Sequence, residues 1–77
     1  MPRLTPIHWK KLECIVLKLG FRFHRQNGSH RQYVKSGTIR PVTIPVYNEI
    51  DVEIIKNTMR TTKINRDKYF ELLKECK

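Results

Sequence analysis

Apolar residues at Trp9, Leu12, Ile15, Val16 and Leu19 recur every three or four positions, which puts them on one stripe of a helix. Thr5-Pro6 just before them is a start signal, a capping hydroxyl followed by proline at the first helical position. Gly20 is a stop, since glycine takes the left-handed conformation of a C-terminal cap at little cost. The pattern predicts a first helix over about 6–19. From Phe21 the period drops to two. Phe21 and Phe23 alternate with Arg22 and His24, as in a half-buried strand. A second strand is expected over His30–Lys35, then a turn at Ser36-Gly37. Val42, Ile44 and Val46 alternate with Thr43 and Pro45 in a third strand, and Pro41 and Pro45 place it at a sheet edge or end it in irregular backbone. Glu49, Asp51 and Glu53 gather at the expected start of a second helix, where the helix dipole favours them, so they carry no catalytic expectation. Ile50, Ile54, Ile55 and Met59 supply its buried side. Asn65 is the expected cap of a last helix over about 66–75, with Tyr69, Phe70, Leu72 and Leu73 packing inward. The predicted fold class is α+β, in the order α-β-β-β-α-α. Its three-stranded antiparallel sheet has helices on one face and the other face open.

The loop of the first hairpin decides which side chains share that open face. A two-residue Asn27-Gly28 loop pairs Phe21 with Val34 and Phe23 with Gln32, which turns His30 and Gln32 toward the helices. A three-residue loop, Gln26 to Gly28, pairs Phe21 with Tyr33 and His24 with His30. Phe21, Phe23 and Tyr33 then lie together under the helices, with Arg22, His24, His30 and Gln32 on the open side. A one-residue slip exchanges the faces completely. Burying Gln32 and His30 without partners costs about 1–3 kcal/mol each. Burial therefore favours the three-residue loop.

Seventy-seven residues make one domain over 1–77, with no room for a second core. No apolar run approaches the roughly 18 residues of a membrane span. Lys10, Lys11, Glu13 and Lys18 interrupt the first twenty positions, unlike the apolar core of a signal peptide. Cys14 and Cys76 are far apart and form no framework, so ordinary thiols in a reducing cytoplasm are expected. The charge says more. Residues 1–47 hold nine basic side chains against one acid, Glu13 (+8), whereas residues 48–77 hold seven bases against six acids (+1). A positive face of that kind suits a polyanion. An anionic membrane would favour a basic amphipathic helix with an exposed apolar side. Here four arginines fall in the strand segment instead, and nucleic acid is the better match.

Few catalytic constellations are available. His8, His24 and His30 come without the carboxylates or cysteines of a metal site, and two histidines across a hairpin rarely suffice. Ser29 and His30 are neighbours whose side chains point to opposite faces of a strand, so they do not make a nucleophile and its base. Ser29 suits a bond to loop backbone or to a phosphate. No phosphate-binding glycine loop is present, and no basic helix suits the major groove of DNA. RNA cleavage needs less equipment, because the 2′-hydroxyl already lies beside the phosphorus. An imidazole, titrating ordinarily near pH 6.5, moves protons either way at neutral pH. Arg25, Arg31 and Lys35 are close enough in sequence to hold phosphate. On residues alone, a histidine in a basic hairpin is more often a phosphate or base contact than a catalyst, and a non-catalytic RNA-binding module stays open.

Several stretches in this order resemble the HicA, or YcfA-like, toxin family of toxin–antitoxin modules. They are Leu19-Gly20-Phe21, Arg25-Gln26, Gly28-Ser29-His30, Val42-Thr43-Ile44-Pro45-Val46, the segment Val52–Met59, and Ile64-Asn65-Arg66-Asp67-Lys68-Tyr69-Phe70. The resemblance implies a fold like the double-stranded-RNA-binding domain. It also implies a metal-independent endoribonuclease acting on mRNA, without a cofactor, and a HicB-type antitoxin partner. The catalytic histidine would be His30, preceded by Gly28 and Ser29. Arg22, His24, Arg25, Gly28, Ser29, Arg31, Lys35 and Arg40 are the expected RNA contacts. Many relatives carry a histidine soon after the third strand, where this chain reads Pro45-Val46-Tyr47-Asn48, and Tyr47 is a poor acid or base at neutral pH.

Overall fold

A computed structural model describes residues 3–76. In chain order its elements are α1 (Trp9–Lys18), β1 (Arg22–Asn27), β2 (His30–Val34), β3 (Val42–Pro45), α2 (Val52–Thr62) and α3 (Arg66–Glu75). The strands form one antiparallel sheet in the order β1-β2-β3. This is the expected α+β, double-stranded-RNA-binding-domain-like order, with β3 and its prolines at an edge. No helix among the described residues is long and apolar enough to cross a membrane.

Leu12, Ile15 and Val16 of α1 are buried with Tyr33, Val42 and Ile44 from the sheet, Ile55 of α2 and Tyr69 and Leu72 of α3. α1 starts three residues later than its Thr5-Pro6 signal suggests. Ile7 pairs with Ile50 through Ile7 N–H to Ile50 O (3.3 Å) and Ile50 N–H to Ile7 O (2.7 Å), which holds that segment extended. His8 becomes the cap, its Nδ1 accepting from Lys10 N–H at 3.1 Å. The same bridge buries Ile50 ahead of α2 rather than on its helical stripe. Asn65 caps α3 as expected, its Oδ1 accepting from Lys68 N–H at 2.9 Å.

The expectation of two separate thiols is overturned, because Cys14 and Cys76 form a disulfide. They are 62 positions apart in sequence, but α3 packs beside α1 and brings their Cα atoms to 5.9 Å. That is within the roughly 4.4–6.8 Å a disulfide spans.

The hairpin register also differs from expectation. The loop is Gly28-Ser29, with Asn27 opposite His30, Gln26 opposite Arg31 and Arg25 opposite Gln32. Gly28 has φ +62° and Ser29 is not in the left-handed region, the combination a type II′ turn needs. The ladder then shifts. Phe23 lies opposite Tyr33 and Arg22 opposite Val34, leaving His24 as the extra residue of a β-bulge. His24 and His30 are therefore not partners. The bulge keeps Phe23 on the same side as Tyr33 and moves Arg25 to the side of Gln32 and His30, since a single inserted residue re-aims everything beyond it.

Candidate functional site

His30 opens β2 between Asn27 of β1 and Pro45 of β3, exposed and on the face opposite the buried Tyr33. Its backbone is well fixed: Val46 N–H donates to Ser29 O at 2.7 Å, tying the loop to the end of β3. Arg22 and Arg25 share the open face with it, both exposed, and Arg25 Nε reaches Gln32 Oε1 at 3.4 Å. His24 is exposed in the bulge, and Gly28 and Ser29 form the exposed tip.

Arg31 lies elsewhere. It points to the helix side, with its guanidinium 4.2 Å from the Phe23 ring centroid and 5.3 Å from that of Trp9. Nε donates to Tyr33 Oη (2.9 Å) and one terminal nitrogen to Gln26 Oε1 (3.0 Å), while the other lies 3.2 Å from Glu13 Oε2. Tyr33 in turn donates to Glu13. Gln26 closes the set by donating to Gly28 O at 2.9 Å. This network fastens the hairpin carrying His30 to α1, and it uses the sole acid of residues 1–47. The bond to Tyr33 raises the Arg31 pKa further above its ordinary value. Burial first, and then the bond to Glu13, push the Tyr33 phenol up to about 12. Lys35 is also occupied: Nζ donates to Leu19 O at 2.8 Å beside Gly20, covering the end of α1.

A cleft of about 600 Å3 begins at His30 and runs along the outer edge of β3 against α2. Tyr47, Asn57, Arg40 and Arg60 are among its lining residues. A second cleft of about 440 Å3 shares Arg40, Arg60 and Thr61 with the first and adds Lys35 and Lys63. No carboxylate lines either one. Among the described residues, Arg40, Arg60 and Lys63 take part in no ion pair. Of the expected contacts, then, the structure puts Arg22 and Arg25 on the open face with His30, Arg25 opposite Gln32 and Arg22 farther along opposite Val34, and sets Arg40 along the cleft. Arg31 and Lys35 are bonded within the fold. Asn57, Arg60 and Lys63, which also line the clefts, carried no expectation from the sequence because α2 and its end read only as a packing helix. No group of three or more His, Cys, Asp or Glu side chains is placed to hold a metal ion among the described residues.

The family model for the HicA toxin of bacterial toxin–antitoxin systems matches residues 9–64, well over half the chain. The chain belongs to the HicA toxin family. It is thus a toxin of a toxin–antitoxin module, a membership that implies an antitoxin partner. The HicA match spans α1 to the end of α2, His30 and both clefts included, and stops before α3. No curated protein and no solved structure matched the chain.

Proposed function

We propose that this HicA-family toxin is a metal-independent endoribonuclease that cleaves mRNA, with His30 as the catalytic residue. It would act in the cytoplasm, where translated messages are found, and be neutralised by a HicB-type antitoxin. The observation that carries the reading is the position of His30: exposed, backbone-fixed, on the helix-free face at the mouth of a cation-lined cleft. The imidazole takes the proton of a ribose 2′-hydroxyl, whose oxygen attacks the adjacent phosphorus. The bond to the 5′-oxygen breaks, and the imidazolium returns the proton to that leaving oxygen. The products are a 2′,3′-cyclic phosphate and a 5′-hydroxyl, and no water or metal enters the balance. Arg25, on the same face opposite Gln32, offsets charge on the phosphoryl oxygens.

The test is His30→Ala. The variant is expected to keep its fold and RNA binding while losing growth arrest in cells and strand cleavage in vitro. Full toxicity in His30→Ala refutes the assignment. Intact RNA with wild-type protein, together with salt-sensitive binding, makes the chain a non-catalytic RNA-binding module instead. The antitoxin is expected to cover the open sheet face and His30, and a complex that leaves the imidazole accessible requires a different mode of inhibition.

A further inference from the structure

Resting on the reading of the chain as a ribonuclease, we propose that the double cleft between β3 and α2 is the seat of a single-stranded RNA segment flanking the scissile phosphate. In it Tyr47 stacks on a base beside His30, and Arg40 and Arg60 clamp a backbone phosphate at the neck where the clefts meet.

Cations are at home in the last turn of a helix, so Arg60 and Lys63 at the end of α2 mean little by themselves. What is informative is that the fold sets Arg40, from the β2–β3 connection, along the same two clefts. Like charges converge there with no carboxylate in the lining, an arrangement an anion relieves. The Asn57 side chain is preset as well: its Oδ1 accepts from Arg60 at 3.0 Å, which leaves its amide N–H groups for a ligand. The larger cleft is within the roughly 300–1,000 Å3 of sites that enclose a small organic molecule. A nucleotide is of that size, and a duplex is not. Unstacked bases held on aromatic side chains over a positive groove are the usual way single strands are bound. Tyr47, 47% exposed, offers such a ring beside His30.

The chemistry of the edge argues against a protein strand in the same place. A strand adding to β3 needs a continuous row of backbone N–H groups, and Pro41 and Pro45 interrupt it. A phosphodiester chain needs side-chain cations instead, and these are present.

The experiment measures binding of a labelled single-stranded RNA oligonucleotide over a salt series, using the full chain with His30→Ala to prevent cleavage. Adding Arg40→Ala or Arg60→Ala is expected to weaken binding and lower the slope of log K against log salt by about 0.7 each. Adding Tyr47→Ala is expected to cost roughly 5- to 150-fold in affinity at unchanged slope, and Tyr47→Phe to restore it. A duplex of the same sequence should bind more weakly. Unchanged slopes in the Arg40 and Arg60 variants, with the loss appearing in Arg22→Ala and Arg25→Ala, would put the RNA on the sheet face and overturn the proposal. So would loss of antitoxin binding in Arg60→Ala with RNA binding intact, which makes the groove a protein interface. If wild-type protein leaves RNA uncut while the groove variants still lose binding, the nuclease reading fails and the groove stands. If wild-type protein cleaves and the groove variants keep its KM, the reverse holds.

Discussion

Arg31→Met tests whether the most heavily coordinated cation of the hairpin serves the fold or the RNA. Methionine retains an apolar stem against Phe23 and Trp9 but loses the bonds to Tyr33, Gln26 and Glu13. Arg31 and Glu13 are each only 22% exposed, so water replaces little of what is lost. A hydrogen bond to a charged partner contributes about 1.5–3 kcal/mol, and stacking on the aromatic rings about 0.5–2 kcal/mol. Glu13 keeps the Tyr33 hydroxyl as a donor, and the methionine packing offsets part of the rest. The net loss should be about 2–3 kcal/mol, a large fraction of the roughly 5–15 kcal/mol by which a domain is stable. Urea and thermal melts read this directly, with Tm falling by roughly 8–24 °C for a domain of this size. Combined with Glu13→Gln, the two losses should be strongly non-additive, since both changes break one network. RNA binding measured on the folded variant should keep its salt slope. A stability change under about 0.5 kcal/mol with a slope reduced by about 0.7 would show instead that Arg31 holds phosphate.

The Tyr69 hydroxyl is buried without a hydrogen-bond partner, so Tyr69→Phe should raise stability by about 1–2 kcal/mol in urea unfolding; a loss would mean that the hydroxyl has a partner. Burial also pushes the Tyr69 phenol up to about 12, as it does that of Tyr33. Below about pH 10 both phenols are neutral in folded and unfolded chains, so neither makes stability depend on pH there. Between about 10 and 12 the unfolded chain ionises first, so stability should fall by up to about 1.4 kcal/mol per pH unit for each phenol. Tyr69→Phe should roughly halve that alkaline slope, and an equal slope in both proteins would contradict the assignment. Reduction of the disulfide should cost about 2–4 kcal/mol yet leave the chain folded, because Tyr69 and Leu72 still anchor α3. Far-UV circular dichroism with and without dithiothreitol checks this, and a coil-like spectrum on reduction refutes it.

What the sequence made legible, and what it hid, follows from the range of the interactions involved. The α1 stripe, the Asn65 cap and the edge position of β3 are local, set by spacing, a capping amide and two prolines, and they stand as read. The start of α1 was misread because a capping hydroxyl and a proline compete with a backbone bridge to Ile50, which lies 43 positions away and leaves no local mark. The register failed for a related reason. Asn27-Gly28 is a strong hairpin signal, yet a glycine with positive φ serves equally as the first residue of a II′ turn, which moves the loop by one. The bulge at His24 then shifted the faces back, so His30 and Gln32 lie opposite Tyr33 although their expected partners were wrong. Counting charge by halves of the chain pointed to residues 1–47 as the positive surface, because α2 and α3 carry both signs. Folding separates those signs. Glu49, Asp51 and Glu53 lie before or in the first turn of α2, whereas Arg60 and Lys63 lie at its far end, beside Arg40. A helix of low net charge thereby contributes half of a cationic groove, which neither a composition count nor a buried-stripe pattern could reveal.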